Sequence, residues 1–193
     1  MTTPQGKTAL IVVDAQIGVM RDAWDADRII GNIAQAVERA RSRLVPVIWV
    51  RHADEDLIQG SPAWQLVPAL VPADGEPMID KHFNSAFEKT GLTEILRRLE
   101  VTHIVLAGAA TNWCIRATAY GALERGYDLT LIEDGHTTAS IERPDGQTIE
   151  AETIIQDLNI VMKWVSYPDR SNSTACAAAV AFTPPPAAPA RQA

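Results

Sequence analysis

Cysteine is scarce in this sequence of 193 residues, which contains only Cys114 and Cys176. Two cysteines cannot build the disulfide framework of a small secreted protein, so we predict a protein of the reducing cytoplasm. Long apolar runs are also missing, because the run from Ala9 to Val13 is far too short for a signal peptide or a membrane span. We therefore expect no association with a membrane.

Basic residues are also fewer than acidic residues. Asp and Glu number 24 against 17 Lys and Arg, which gives a formal net charge of -7. The basic residues are scattered along the chain, so the clustered positive surface that nucleic acid requires is not predicted. Neither a P-loop nor a GxGxxG turn follows any apolar run, which argues against nucleotide binding. The sequence thus predicts no nucleic-acid partner and no cofactor.

Short apolar runs alternate with segments of helical periodicity along most of the chain. Runs of strand length lie at Leu10–Val13, Val45–Val50, Met78–Ile79, Ile104–Leu106, Leu129–Ile132 and Ile160–Val161. Helical segments lie at Asp27–Arg43, from Thr90 onward, near Trp113–Glu124 and near Thr148–Leu158. Near-continuous apolar strands between helices are typical of a parallel sheet covered on both faces. We therefore predict an α/β fold, a three-layer α/β/α doubly wound parallel sheet in one domain over residues 1–182.

Two stretches depart from this alternation. Residues 51–76 are punctuated by Asp, Glu, Gly and Pro, which predicts a long functional loop. Residues 183–193 are rich in Pro and Ala and cannot bury a core, which predicts a disordered tail.

Cys114 occupies the most informative position in the chain. It follows an apolar strand and the small-residue turn Gly108–Thr111, in the first turn of a predicted helix. The helix dipole there favours the thiolate, so we predict a pKa lowered from roughly 8.5 toward neutrality and alkylation of Cys114 before Cys176. Open α/β sheets carry their sites at the carboxyl ends of strands, which favours a nucleophile over a small buried hydrophobe.

Two further strand ends carry charged residues. Asp14 ends the first apolar run, and Lys81 follows the short run in EPMIDK. Parallel strands would bring both side chains to the same edge as Cys114. The three groups form a chemically complete set, because an ammonium favours a thiolate and an oxyanion while a carboxylate can take and return a proton. Taken singly, Asp14 could equally cap a helix, and Lys81 could be a solvated surface amine.

The order Asp14, Lys81, Cys114, within DAQ, KHFNSAF and AGAATNWCIRATAYGALERGYDLTLIEDGHTT, resembles the isochorismatase-like cysteine hydrolases over roughly Lys7 to Trp164. The stretch VPVIWVRHADEDLIQGSPAWQLVPALVPADGEP makes the chain most similar to the streptothricin-hydrolase branch. This resemblance implies a Rossmann-like topology and a homodimer or higher homo-oligomer. It also implies hydrolysis of the C–N bond of a small amide or lactam through an acyl-enzyme. Asp14 would be the general base and later acid, Lys81 the electrostatic partner and Cys114 the nucleophile.

The resemblance implies two further features of the site. A cis non-proline peptide would join Ala109 and Ala110, and the N–H groups of Ala110 and Cys114 would form an oxyanion hole. Nicotinamidases of the family bind a metal through an Asp-x-His pair and a second His. In RHADED that order is reversed, and no second His follows before His82. We therefore predict no bound metal and hydrolysis that survives chelation.

Several residues near the three strand ends are candidates for substrate binding. The acidic loop at Asp54–Asp56 would attract a cationic substrate, although a solvated loop explains it as well. His82 could touch substrate, and His103 is expected to be exposed. His136 follows a strand end and could lie near the site, although an exposed or capping position is favoured. The candidate pocket residues are Trp113, Phe87, His52 and Trp24, with core packing the alternative for the first two and a surface position for His52.

Three other functions remain in competition at this point. An isochorismatase proper would cleave a vinyl ether, a reaction that needs an acid and no thiol, so Cys114 argues against it. A nicotinamidase-like amidase would require the metal. A non-enzymatic partner would be expected to have lost Asp14, Lys81 or Cys114, and all three are present. Trp164 is a candidate contact between subunits.

Overall fold

Six strands pair in parallel to form the central sheet of this computed structural model, which describes residues 6–183. The order across the sheet is β3-β2-β1-β4-β5-β8, and a separate antiparallel pair is formed by β6 and β7. The tail predicted at 183–193 lies, from residue 184 on, outside the described residues. The strands are β1 (Lys7–Val13), β2 (Val47–His52), β3 (Met78–Lys81), β4 (Val101–Ala109), β5 (Asp128–Thr137), β6 (Ile141–Glu142), β7 (Thr148–Ile149) and β8 (Asn172–Ala175).

Helices cover both faces of the sheet. One face packs against α3, α4 and α5, and the other packs against α2 and residues 177–182. The three-layer doubly wound prediction is therefore confirmed. The helices are α1 (Ile17–Met20), α2 (Ala26–Arg41), α3 (Leu92–Arg98), α4 (Arg116–Glu124) and α5 (Ala151–Trp164), and a π-helical turn (Thr111–Ile115) precedes α4. Among residues 6–183, no helix is long and apolar enough to cross a membrane.

The strand order reverses direction between β1 and β4, the two central strands. Such a switch point opens a crevice at the carboxyl ends of the strands, where ligands bind in open α/β sheets. β1 and β4 approach closely there, because Gly108 pairs with Val13 and has a φ of 125°. A Cβ atom on Gly108 would lie 1.9 Å from the Val13 carbonyl oxygen, so only glycine allows this approach.

The prediction of a strand at Ile160–Val161 is wrong. These residues belong to α5, and the sixth strand of the sheet is β8. The sequence of β8, NSTA, has no apolar run because every residue of this edge strand is half-buried. Between β2 and β3, residues 53–77 form no helix or paired strand, and their own small core contains Ala53, Leu57 and Trp64.

Candidate active site

The three predicted catalytic side chains meet at the switch point. Asp14 follows β1 with a left-handed φ of 51°, Lys81 ends β3, and Cys114 lies in the π-helical turn after β4. The Lys81 Nζ atom is 2.7 Å from Asp14 Oδ2 and 3.1 Å from Cys114 Sγ. The side chains of Asp14 and Lys81 are 2% and 0% exposed. The structure therefore brings together a buried carboxylate, ammonium and thiol in direct contact.

His52 joins the same cluster. It ends β2 and pairs in register with Lys81, and its Nδ1 atom is 3.3 Å from Lys81 Nζ. On the far side of the ring, Nε2 is 2.9 Å from Asp54 Oδ2. His52 was predicted to line the pocket, and the structure places its ring against the lysine. Asp54, which belongs to the acidic loop Asp54–Asp56, therefore contacts His52 directly.

Burial controls the ionisation of the cluster. Burial raises the pKa of Asp14, and the charge of Lys81 opposes that shift. Burial also raises the pKa of the Cys114 thiol to about 12; the Asp14 carboxylate adds to this increase and Lys81 opposes it. The prediction of a thiol pKa lowered toward neutrality is therefore wrong for the substrate-free protein. Cys114 is only 8% exposed, so the cost of desolvating a thiolate outweighs the favourable helix dipole.

One carboxylate oxygen of Asp14 is available for proton transfer. Asp14 Oδ2 is held by Lys81, whereas Oδ1 is buried and has no hydrogen-bond partner among residues 6–183. An unpaired buried acceptor is costly and calls for a functional explanation. Its position in the cluster fits a base that receives a proton during a reaction.

The cluster also contains donor atoms that suit a metal ion. Ligand atoms of Asp14, His52 and Cys114 all lie within 4.8 Å of one another. The Lys81 ammonium, however, contacts all three side chains, at 2.7, 3.3 and 3.1 Å respectively. A divalent cation held by the same atoms would lie against this like charge. The donor set therefore fits the ammonium and does not fit a metal.

The turn that carries Cys114 is fixed by backbone and side-chain bonds. The peptide between Ala109 and Ala110 is cis, and the Ala110 carbonyl accepts the N–H groups of Trp113 and Ile115, both at 3.1 Å. Thr111 Oγ1 is 2.9 Å from Nδ1 of the buried His136. These contacts position the segment that contains both predicted oxyanion-hole residues, Ala110 and Cys114.

The predicted pocket aromatics take three different positions. Trp113 is 56% exposed beside Cys114. Trp24 is 36% exposed, and its backbone N–H donates to the Thr138 carbonyl at 2.9 Å, which places it near the end of β5. For Phe87 the structure agrees with the alternative of core packing, because it is buried in the core with its ring stacked on Tyr127, 6.0 Å between centroids.

The histidines predicted to be exposed are buried. His103 and His136 both have 0% exposure, and each makes side-chain hydrogen bonds through both ring nitrogens. The prediction for His103 is wrong because β4 begins at Val101, three residues before the predicted start at Ile104, which places His103 inside the strand. His82, by contrast, is exposed, with Nδ1 2.9 Å from the Ala53 carbonyl.

Sequence reasoning missed the role of Gln16. This buried amide accepts the His52 N–H through Oε1 at 2.8 Å. Its Nε2 donates to the carbonyls of His52 at 3.0 Å and of Trp64 at 2.7 Å. Gln16 thus ties the chain after β1 to the end of β2. The motif DAQ contained the signal, but only the path of the loop after β2 reveals the partners.

A thiol, a carboxylate and an ammonium are thus buried together at the switch point of a doubly wound α/β sheet. A model described as the isochorismatase domain matches residues 8–164. The chain belongs to the isochorismatase family of hydrolases.

Curated relatives and solved structures agree with this assignment. A streptothricin hydrolase of Streptomyces noursei is 30% identical over 96% of this chain and 68% of its own length. A maleamate amidohydrolase of Pseudomonas putida is 35% identical, over 45% of this chain and 42% of its own length. The crystal structure of an isochorismatase from Pseudomonas putida matches with a TM-score of 0.80 at 30% identity, over 92% of this chain and 93% of that chain.

Proposed function

We propose that this protein hydrolyses the C–N bond of a small amide or lactam through an acyl-enzyme on Cys114. The observation that supports this most strongly is the buried Lys81 ammonium, which contacts both the Asp14 carboxylate and the Cys114 sulfur. Such a set can activate a nucleophile, stabilise an oxyanion and carry a proton. The names of two relatives, a streptothricin hydrolase and a maleamate amidohydrolase, fit amide hydrolysis.

Acylation begins from an un-ionised thiol. Asp14 accepts the thiol proton through its unpaired Oδ1 while the Cys114 sulfur attacks the amide carbonyl carbon. The carbonyl oxygen becomes an oxyanion, which the N–H groups of Ala110 and Cys114 stabilise together with the Lys81 charge. Protonated Asp14 then donates the proton to the amide nitrogen. The C–N bond breaks, the amine leaves, and a thioester remains on Cys114.

Deacylation uses the same carboxylate. Asp14 removes a proton from water as the water oxygen attacks the thioester carbonyl, and the C–S bond breaks to release the carboxylic acid. The Cys114 sulfur recovers its proton from Asp14. Burial raises the pKa of Asp14 and so helps it to hold a proton between these steps, which an ordinary exposed aspartate does poorly.

The residues around the opening of the site indicate the chemical class of the substrate. Trp113 and Trp24 supply exposed aromatic surface, and the loop after β2 supplies the carboxylates of Asp54 and Asp56. Asp54 and Asp56 also line a cavity of about 250 Å³ with His52 and Arg21, so one cation lies among these carboxylates. Exposed aromatic surface with two carboxylates against one arginine favours a small cationic amide, and a streptothricin-type cyclic amide meets that description.

A panel of primary amides, lactams and streptothricin-type antibiotics tests this function through product release. Cys114→Ala should abolish turnover of the best substrate, and both Asp14→Asn and Lys81→Ala should lower kcat more than about tenfold, a barrier increase above ~1.4 kcal/mol. Cys176→Ser is the matched control, since Cys176 is exposed and contacts Glu133. A variant of Asp14 or Lys81 that keeps more than about a tenth of kcat would refute the role given to that residue.

We also propose that hydrolysis needs no metal, because Lys81 contacts the same three donor side chains that a cation would use. Exhaustive treatment with EDTA should leave kcat unchanged, and elemental analysis should find no stoichiometric metal. One tightly bound zinc or iron per chain, with activity lost on its removal, would move the function toward that of a nicotinamidase.

The surface next to the site supports a homo-oligomer. Ile160 and Trp164 are large exposed apolar side chains on α5, which contacts the π-helical turn that carries Cys114. Burying them against a second copy would remove apolar area from water. Light scattering should therefore find a dimer or larger species at micromolar concentration, and a 21.0 kDa monomer alone would contradict this.

A further inference from the structure

His52 completes the set of acceptors around the Lys81 ammonium. The three atoms near Lys81 Nζ are Asp14 Oδ2 at 2.7 Å, Cys114 Sγ at 3.1 Å and His52 Nδ1 at 3.3 Å. An ammonium carries three protons and has no lone pair. Each proton of this buried group therefore has one acceptor, and the third acceptor is the histidine.

The contact with Lys81 fixes the tautomer of His52. A ring nitrogen accepts a hydrogen bond only when it carries no proton, so Nδ1 is unprotonated and Nε2 carries the proton of the neutral ring. That proton faces Asp54 Oδ2, 2.9 Å away. Asp54 Oδ1 accepts the N–H groups of Asp56 at 3.0 Å and Leu57 at 2.7 Å, which hold the carboxylate in its turn.

Asp54 can orient the ring of His52 because its carboxyl group is held in the charged form. Its partial burial disfavours the charged form, but the hydrogen bonds from Leu57, His52 and Asp56 outweigh that effect and lower the pKa of the carboxyl. A carboxylate accepts hydrogen bonds and donates none. It therefore favours the tautomer with its proton on Nε2.

We propose that His52 is a positioning residue: oriented by Asp54, it accepts one proton of Lys81 and thereby directs the other two protons toward Asp14 and Cys114. His52 does not need to touch substrate in this role, because it acts through the lysine. Its effect on turnover rests on the proposed function, whereas the tautomer and the lysine contact can be tested without any substrate.

Loss of the imidazole would leave a buried ammonium proton without an acceptor. An unsatisfied charged donor is costly, so Lys81 would turn toward another acceptor and lose its alignment with the sulfur. The end of β2 would stay in place, because Gln16 holds both the N–H and the carbonyl of His52. We therefore expect a loss in kcat with little change in KM, as for an interaction that matters in the transition state.

The first experiment compares two histidine variants and a control on the best amide from the panel. His52→Ala should lower kcat about tenfold or more with KM within about twofold. His52→Asn should recover most of that loss, because its amide oxygen can accept the Lys81 proton in place of Nδ1. Arg97→Ala, an exposed residue of α3 that pairs with Glu94 away from the site, is the control and should keep wild-type kcat. Wild-type kcat in His52→Ala would overturn the proposal.

A double-mutant cycle then tests whether Asp54 acts through His52. Asp54→Asn should lower kcat, because an amide can present N–H to Nε2 and favour the other tautomer. In the His52→Ala background, Asp54→Asn should have no further effect, since no polar side chain remains to be oriented. Losses that add in the double variant would show that Asp54 acts by another route and would overturn the proposal.

Nitrogen-15 NMR of the imidazole rings near pH 8 gives a readout that needs no turnover. The chain has four histidines, and the signals absent in His52→Asn identify those of His52. We expect protonated Nε2 and unprotonated Nδ1, with a signal that shifts in Lys81→Ala. A proton on Nδ1, or no response to Lys81→Ala, would overturn the positioning role. A wild-type protein that hydrolyses nothing in the panel would overturn only the proposed function.

Discussion

The ammonium of Lys81 is already paired with a carboxylate, which explains why it does not bring the pKa of the neighbouring cysteine below its ordinary value. Lys81 lies 2.7 Å from Asp14, so the two charges largely cancel at the Cys114 sulfur. Burial then dominates and raises the pKa of the thiol to about 12. The thiol of Cys114 is therefore un-ionised near neutral pH. In the proposed reaction its proton would leave only as the sulfur attacks, and until then the un-ionised thiol should resist oxidation and alkylation.

The pH dependence of alkylation tests this directly. In a Cys176→Ser background, the rate at which iodoacetamide modifies Cys114 should still rise at about pH 9.5, because the buried thiol is far from fully ionised there. A cysteine in a short peptide with blocked termini, with the ordinary pKa of ~8.5, should already be levelling off. Timed quenching followed by peptide mass spectrometry measures both rates. A plateau for Cys114 below about pH 8 would show that the thiolate is the resting form after all.

For single residues, the sequence predicts where the side chains lie in the fold, but it does not predict how deeply they are buried or which groups they contact. The meeting of Asp14, Lys81 and Cys114 was predictable, because parallel strands end at one edge and each residue follows a strand. Their catalytic roles stay predictions. The pKa of Cys114 depends on how deeply the turn is buried, and the bond from His52 to Asp54 depends on the path of a loop. Neither is encoded in local spacing.

The contact between β1 and β4 depends on one glycine. Gly108→Ala should lower the free energy of unfolding by about 2 kcal/mol or more, because the new Cβ would overlap the Val13 carbonyl and the residue has a positive φ. Gly31→Ala in α2 is the control: nothing lies within 4 Å of its Cβ position, so that change should stabilise by roughly 0.5–1 kcal/mol. Urea denaturation measures both. Equal stability of the two variants would refute the close-approach argument.

The same glycine bears on activity, since Val13 precedes Asp14. Forcing β1 away from β4 would move the carboxylate relative to the turn that carries Cys114. The Gly108→Ala protein that remains folded should therefore lose kcat beyond what its stability explains.

The elements that sequence periodicity predicted well are those with a strong apolar pattern. β1, β2, β4, β5 and α2 were all located, because buried strands are continuously apolar and α2 has a clear apolar stripe. β8 was missed because half-buried edge strands need no apolar run. The pair Ile160 and Val161 wrongly predicts a strand, because Ile160 lies on the exposed side of α5, where an apolar residue carries no information about the core.

Two buried histidines connect separate elements of the molecule. His103 on β4 contacts Thr8 of β1 and Thr130 of β5, both at 2.9 Å. His136 on β5 contacts Thr111 at 2.9 Å and Asn159 of α5 at 3.0 Å. Burial lowers the pKa of each histidine to about 4, so both stay neutral in the folded protein. The unfolded chain, in contrast, takes up protons at these positions near its ordinary pKa of ~6.5.

The protein should therefore lose stability in mild acid. Between pH 6.5 and pH 4 the unfolded state binds more protons than the folded state, so the free energy of unfolding falls as the pH falls. Each histidine contributes about 2 kcal/mol to the loss between pH 7 and pH 5. Urea denaturation at the two pH values should show a smaller loss for His103→Gln than for the wild type, and an unchanged loss for His82→Gln. The same loss in His103→Gln and wild type would exclude His103 as a cause.

The reversal of strand order at β1 and β4 affects the order of events during folding. Cys114 meets Lys81, 33 residues away, and Asp14, still further away, only when parallel strands from distant parts of the chain have paired. Long-range parallel pairing is slow compared with the formation of helices. A nascent or refolding chain would thus regain its helical signal before its turnover. Recovery of activity would therefore report the pairing of β3, β2, β1 and β4, the four strands that bring these three residues together.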